Sequence, residues 1–150
     1  MSLNIKRILV GTDFSEPARR ATDAAVDLAR ALGASLVVLH VTPAVEYVDY
    51  EGNLAHLHEG KAFQDAIRKA AQDAGAAELS RIQKSGATAT YVALDGPPTE
   101  TLCTYAEQNG IDLIVVGTHG RTGLQRLLMG SVAETVVRRA HVPVLAFRGP

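Results

Sequence analysis

The stretch that decides the fold runs from residue 111 to residue 131 and reads IDLIVVGTHGRTGLQRLLMGS. Its first part, Ile111 to Val116, is strongly apolar and is typical of a buried strand. Gly117, Gly120 and Gly123 follow at even intervals, and Gly130 precedes an apparent helix. Glycines lack a Cβ atom, so their amides can approach an anion, and a helix start adds unpaired N–H groups. The stretch predicts a backbone site for an anion such as phosphate.

The composition of the whole chain is that of a globular protein. The chain has 150 residues, of which 47% are hydrophobic and 21% are charged, enough for one domain with a buried core. We therefore expect residues 1–150 to form a single domain. The formal charge is −1 and both signs are interspersed, so there is no broad basic surface for nucleic acid or an anionic membrane. Any anion site must be local.

Three features bear on the cellular compartment. The residues from Met1 to Arg7 lead almost directly into an apolar strand and lack the hydrophobic segment of a secretion signal. No apolar run approaches the roughly 20 residues of a membrane span. The lone Cys103 fits a reducing compartment and is most simply a small apolar residue on a helix. These features predict a cytoplasmic protein with no membrane partner.

Strands and helices alternate along the chain. Apolar runs predict five strands, and apolar residues at helical spacing predict four helices between them. The predicted strands cover 5–10, 35–41, 88–94, 111–116 and 142–147, and the predicted helices run from about 16 to 33, 61 to 85, 99 to 109 and 131 to 140. This order predicts an α/β fold of the Rossmann-like kind: an open five-stranded parallel sheet with helices on both faces. Pro143 indicates that the last strand lies at a sheet edge.

Two loops of this sheet carry plausible ligand chemistry. In open parallel sheets, ligands bind beyond the carboxyl ends of the strands, where the winding direction reverses. Thr12 and Asp13 follow the first strand, and the glycine loop follows the fourth, so the strand order 3-2-1-4-5 would bring the two loops together. Asp13 is either a turn former or a ligand for a ribose hydroxyl or a hydrated divalent ion. Likewise, Gly117 could merely end a strand and Gly130 could merely permit a turn.

The start of the last helix carries the Ser-x-x-Glu spacing of a capping box, from Ser131 to Glu134. The spacing predicts that Ser131 is the N-cap residue. Its backbone N–H would still face an anion, so capping and binding are compatible.

The histidines suggest no metal centre. Residues 44–60 show no periodicity, which predicts an irregular loop or lid, and His56 and His58 within it have no third ligand for zinc nearby. His40 stands inside an apolar strand and is interpreted as a core histidine with its hydrogen bonds satisfied.

The motifs resemble those of the universal stress protein family. The spacing of Gly117, Gly120, Gly130 and Ser131 matches the nucleotide-binding pattern of that family. The segments ILVGTDFS at 8–15, LHV at 39–41 and VPVL at 142–145 are also similar to it. The resemblance covers nearly the whole chain. It implies the five-stranded fold, ATP bound in the crevice and commonly a homodimer.

The resemblance also implies which residues surround an adenine nucleotide, whether ATP, ADP or AMP. Around the phosphates it places Gly117, Gly120, Gly130 and Ser131, with Val132 continuing the helix start. Near the ribose, or a phosphate-bound Mg²⁺ or Mn²⁺, it places Thr12 and Asp13, and against the adenine it places Val41. Val116 and His119 are implied as further neighbours.

Two functions follow as alternatives. The first is a cytoplasmic, ATP-binding stress-response protein that acts as a nucleotide-dependent regulator or sensor on an unknown protein partner. The second is a slow ATPase or self-phosphorylating enzyme that uses the same site. Phosphoryl transfer needs charge neutralisation and a residue that positions the nucleophile. Asp13 with a metal supplies part of this, but the sequence contains no convincing base or obligatory lysine, so a dedicated enzyme is not expected.

Two further expectations concern chemistry and assembly. Adenylyl transfer lacks support, since enzymes of that type use a histidine-rich element after the first strand and residues 11–15 contain none. The apolar final strand, Val142 to Phe147, predicts a homodimer, because an exposed strand edge tends to pair with a copy of itself.

Overall fold

The computed structural model describes residues 3–43, 57–118 and 130–148. Within these ranges, strands and helices alternate as the sequence predicts. The elements are β1 (Arg7–Gly11), α1 (Glu16–Leu32), β2 (Ser35–Thr42), α2 (Leu57–Lys84), β3 (Ala89–Asp95), α3 (Pro98–Gln108), β4 (Leu113–Gly117), α4 (Ser131–Arg139) and β5 (Val144–Phe147).

All of these strands belong to one parallel sheet with the order β3-β2-β1-β4-β5, which confirms the predicted order. The central strand, β1, pairs with β2 on one side and with β4 on the other. The winding direction therefore reverses between β1 and β4, and a crevice opens beyond their carboxyl ends. β5 lies at an edge of the sheet, as Pro143 indicated.

Helices cover both faces of the sheet, and each face has its own hydrophobic core. On the face of α1 and α2, the core includes Ile8, Val10, Ala25, Val38 and Ile82. On the face of α3 and α4, it includes Leu9, Leu39, Leu102, Ile114 and Val136. The central strands are thus buried on both sides, which explains their continuous apolar sequences.

The first, fourth and fifth strands each begin two residues later than predicted, and other strand boundaries differ by one residue. The fourth strand was expected from Ile111, but the Ile111 amide donates to the Ala106 carbonyl oxygen (3.2 Å), which ties this residue to the end of α3. The fifth strand begins at Val144, two residues after the predicted start. Apolar character alone did not separate strand residues from the buried connection that precedes them.

The two ends of α1 follow capping chemistry. Ser15 caps α1, since its Oγ accepts a hydrogen bond from the Ala18 amide (3.3 Å), and Gly33 ends it with φ 65°. The predicted irregular segment 44–60 was too long, because α2 already begins at Leu57 and includes His58. Residues 44–56, with His56, lie outside the described ranges. Neither α2 nor any other described helix is long and apolar enough to cross a membrane.

An ion-pair group fixes α2 against α1. The buried Glu78 accepts two hydrogen bonds from Arg81 (2.8 and 3.0 Å), and Arg81 reaches Asp23 of α1 (2.7 Å). These contacts, led by the hydrogen bonds to Glu78, raise the pKa of Arg81. The group therefore sets the position of α2 over the sheet.

Candidate functional site

A cleft of about 820 Å³ opens at the carboxyl ends of the strands. It lies where the winding direction reverses, and the loops after β1 and β4 both reach it. Among the residues that line it are all the described members of the predicted nucleotide site, namely Thr12, Asp13, Val41, Val116, Gly117, Gly130, Ser131 and Val132. The predicted His119 and Gly120, like Gly123, lie outside the described ranges. The fold thus brings together residues that are more than 100 positions apart in the sequence.

The turn after β1 is a tightly hydrogen-bonded structure. The Asp13 Oδ1 atom accepts a hydrogen bond from the Ser15 amide (3.0 Å), and the Thr12 Oγ1 atom accepts one from the Phe14 amide (3.0 Å). Phe14 itself has φ 62°, a left-handed conformation that bulky residues rarely adopt. Asp13 therefore does form a turn, while its carboxylate lies in the wall of the cleft.

Packing against α1 also favours glycine at position 117. A Cβ atom at Gly117 would lie 3.3 Å from the Pro17 carbonyl oxygen and 3.6 Å from the Ala21 Cβ, both in α1. The absence of a side chain thus lets the first turn of α1 approach the end of β4. This is a different reason for glycine than the approach of an anion, and the two do not exclude each other.

The two ends of the glycine loop are joined by a hydrogen bond. The Gly130 amide donates to the carbonyl oxygen of Thr118, and the Thr118 amide donates to the Phe147 carbonyl oxygen (3.0 Å). Thr118 is buried. α4 therefore starts directly beside the end of β4.

The capping-box prediction for α4 is wrong. Gly130 is the N-cap residue and Ser131 is the first helical residue, so the N-cap residue itself provides no side-chain hydrogen bond. The Glu134 carboxylate instead accepts a hydrogen bond from Arg138 Nη2 (2.8 Å), one turn further along. A glycine at the N-cap supplies no side-chain oxygen, and the amides that begin α4 lie at the cleft without that partner. Such amides, at the positive end of the helix dipole, favour an anion.

Apolar side chains form most of the remaining walls. Val41 and Val116 are buried near the ends of β2 and β4, and Val132 on α4 is 38% exposed. α2 adds a wall that sequence reasoning missed, made of Ile67, Ala70, Ala71 and Ala74. Ile67, Ala70 and Ala74 stand at helical spacing in the sequence, but apolar residues that face a cleft have the same spacing as apolar residues that face a core.

Aromatic residues connect this wall to the turn after β1. The Tyr91 hydroxyl donates to the Ala71 carbonyl oxygen (2.8 Å), and burial raises the pKa of Tyr91. The Phe14 ring lies 6.3 Å from the Tyr91 ring and 4.7 Å from the His40 ring. His40 has a hydrogen-bond partner, as predicted, since its Nδ1 lies 2.8 Å from the Thr12 carbonyl oxygen. It also lines the cleft, which the sequence did not indicate.

The cleft offers a metal ion few protein ligands. Within 3–43, 57–118 and 130–148, no group of three His, Cys, Asp or Glu residues lies close enough to hold one. The one carboxylate among the described lining residues belongs to Asp13. Mg²⁺ commonly binds through one or two carboxylates together with phosphate oxygens and water, so Asp13 suits an ion that arrives with a phosphate ligand.

Comparison with known proteins points to one family. The family described as "Universal stress protein family" matches residues 4–148. Over 145 residues the chain is 32% identical to Universal stress protein MJ0531 of Methanocaldococcus jannaschii, covering 97% of this chain and 83% of that protein.

Solved structures show the same likeness. Universal stress protein UspA from Lactobacillus plantarum superposes with a TM-score of 0.84 at 30% identity, covering 95% of this chain and 97% of that one. A universal stress protein solved in complex with cAMP superposes with a TM-score of 0.66 at 27% identity, covering 96% of this chain and 97% of that one. The cleft thus occurs in a fold that, in one relative, holds an adenine nucleotide.

Proposed function

The chain belongs to the universal stress protein family, and from this premise we propose that it is a cytoplasmic stress-response protein that binds ATP in the cleft. The bound nucleotide acts as a regulator or sensor, because binding favours whichever conformation contacts it better. ADP or AMP would occupy the same place with fewer phosphate contacts.

One observation carries the proposal: the start of α4, with glycine as its N-cap residue, and Asp13 line one cleft with apolar walls. The amides at the start of α4, together with Gly117, suit the phosphates. Asp13 and Thr12 suit the ribose hydroxyls or an accompanying Mg²⁺ or Mn²⁺. Val41, Val116 and Val132 supply apolar surface for the base and its surroundings. His119 and Gly120 complete the site that we propose, by the family's glycine pattern.

We propose that the main role of the site is to bind the nucleotide, and that the site does not hydrolyse it efficiently. Among the described lining residues, the ionisable side chains are those of Asp13 and His40, and neither a lysine nor an arginine occurs. Both ionisable groups also hold the turn after β1. Hydrolysis or self-phosphorylation at this cleft remains the second candidate, with Asp13 and a metal as its machinery.

Calorimetric titration of nucleotide-stripped protein with ATP, AMP and GTP, in the presence of Mg²⁺, tests the binding proposal. We expect saturable binding of the adenine nucleotides. The Asp13→Asn variant should weaken ATP binding about tenfold, since a hydrogen bond to a charged group contributes roughly 1.5–3 kcal/mol. Asparagine can still accept from the Ser15 amide, so the turn should persist. Asp27→Asn, on the exposed side of α1, is the matched control. No saturable adenine-nucleotide binding to the wild-type protein would overturn the proposal.

Product assays distinguish retention from turnover. We expect radiolabelled ATP to remain intact with the wild-type protein as long as in buffer alone. Steady phosphate release, or label on the protein, that disappears in Asp13→Asn would favour the enzyme instead.

We further propose that the protein forms a homodimer through the strand Val142 to Phe147, and that a still unknown protein partner reads the nucleotide state. Two observations support the dimer: β5 has a neighbour on one side of the sheet alone, and Leu145 within it is 41% exposed. Pairing the open edge with a second copy would satisfy its backbone groups.

A further inference from the structure

His40 makes a hydrogen bond whose direction is fixed by chemistry. Its Nδ1 lies 2.8 Å from the carbonyl oxygen of Thr12, and a carbonyl oxygen can only accept. Nδ1 must therefore carry the proton, which makes Nδ1–H the tautomer of the neutral ring. The bond connects β2 to the first residue after β1 and holds the peptide between Thr12 and Asp13.

This peptide begins a turn that would not keep its shape by itself. The left-handed conformation of Phe14, with φ 62°, is unfavourable for a bulky residue and persists where the surroundings impose it. The backbone on the other side is fixed as well, because the Thr12 amide donates to the Leu39 carbonyl oxygen (2.9 Å). Asp13 lies between these two fixed points.

The His40 ring also contacts the far side of the turn. Its centroid lies 4.7 Å from that of Phe14, with an interplanar angle of 33°. Phe14 in turn lies 6.3 Å from Tyr91, which is anchored to α2 through Ala71. One imidazole thus holds the turn at two points, at the carbonyl before Asp13 and at the ring after it.

We propose that His40 is a positioning residue for the nucleotide site: by holding Thr12 and Phe14 it sets the position of the Asp13 carboxylate in the cleft. The role rests on the proposed nucleotide binding and deepens it. His40 acts through Asp13, and its contribution is the geometry of the turn.

The tautomer can be measured without any ligand. In ¹⁵N NMR spectra of nucleotide-free protein, the His40 ring should show a protonated Nδ1. The opposite tautomer would overturn the proposal, since Nδ1 could not donate to Thr12. This outcome does not depend on whether the protein binds nucleotide.

Substitution tests the effect on binding. The amide nitrogen of asparagine can occupy the place of Nδ1, whereas that of glutamine lies near the place of Nε2. His40→Asn can keep the hydrogen bond but loses the ring contact with Phe14, so we expect it to bind ATP about two- to threefold more weakly than wild type. His40→Gln loses the hydrogen bond as well and should bind about 5- to 10-fold more weakly, the usual weight of one hydrogen bond. His40→Leu should resemble His40→Gln. Thermal unfolding identifies any variant that is not folded. If His40→Leu does not fold, the comparison of His40→Asn with His40→Gln still tests the proposal.

Two outcomes would count against the proposal. If His40→Asn loses as much affinity as His40→Gln, the hydrogen bond from Nδ1 to the Thr12 carbonyl oxygen does not set the position of Asp13, and the proposal is refuted. If both amide variants bind as wild type does, the turn does not need His40. Absence of ATP binding to the wild-type protein would instead refute the proposed function, and the tautomer measurement would still decide whether His40 holds the turn.

Discussion

Replacing Gly75 by alanine should destabilise this protein, although the same change stabilises most helices. Gly75 is buried inside α2, where alanine is normally favoured over glycine by about 1 kcal/mol. A Cβ atom at Gly75 would come well under 3.0 Å from Cε1 and Cζ of Tyr91. The Tyr91 ring would therefore have to move.

The expected change in the free energy of unfolding follows from the contacts that hold the Tyr91 ring. Overpacking costs about 1–3 kcal/mol, and loss of the Tyr91 hydrogen bond to the Ala71 carbonyl oxygen adds about 1 kcal/mol. The better helix propensity of alanine offsets about 1 kcal/mol. The free energy of unfolding should thus fall by about 1–3 kcal/mol.

Urea denaturation at 25 °C of a double-mutant cycle tests this reasoning. The cycle comprises the wild type, Gly75→Ala, Tyr91→Ala and the double variant. With Tyr91 reduced to alanine, space opens beside Gly75, and Gly75→Ala should then stabilise by about 1 kcal/mol. The reasoning is refuted if Gly75→Ala stabilises the protein equally with and without the Tyr91 ring.

Two further predictions concern pH and assembly. Because burial raises the pKa of Tyr91 above its ordinary value near 10, the folded state keeps this proton longer than the unfolded state. The contribution of the protonated Tyr91 to stability is fully present below about pH 10 and is lost as the pH rises through the pKa of Tyr91 in the folded protein. The free energy of unfolding should therefore decline less between pH 9 and pH 11 in the Tyr91→Phe variant than in the wild type. At the sheet edge, Leu145→Lys should shift the sedimentation of the protein at micromolar concentration from dimer toward the 15.9 kDa monomer, whereas Leu32→Lys, at a similarly exposed position of α1, should not. A wild-type protein that sediments as a monomer would contradict the edge pairing.

The fold was predictable because the sequence pattern is strong where the core is. Residues such as Leu9 and Val38 are buried within strands covered on both faces, so apolar runs marked the strands directly. The strand order followed from placing two ligand-bearing loops side by side. Boundaries such as Ile111 were less accurate, because burial continues from a helix end into the next strand.

The sequence indicated described cleft residues such as Thr12, Asp13 and Gly130, but it did not indicate the residues that hold them in place. The family pattern pointed to Asp13 and Gly130 by sequence. The left-handed Phe14, and its contacts with His40 and Tyr91, arise from tertiary packing that no local pattern reveals. The N-cap of α4 was also predicted wrongly, because the helix begins one residue earlier than the Ser-x-x-Glu spacing indicated. Gly130, and not Ser131, is the N-cap residue.

The hydrogen bond from the Gly130 amide to the Thr118 carbonyl oxygen fixes the gap that the chain between these two residues has to span. The two ends of that gap are held by β4 and α4. Closing a flexible loop costs only about 0.6 kcal/mol more for each doubling of its length. The stability of the sheet and of α4 should therefore depend little on the number of residues between these two positions.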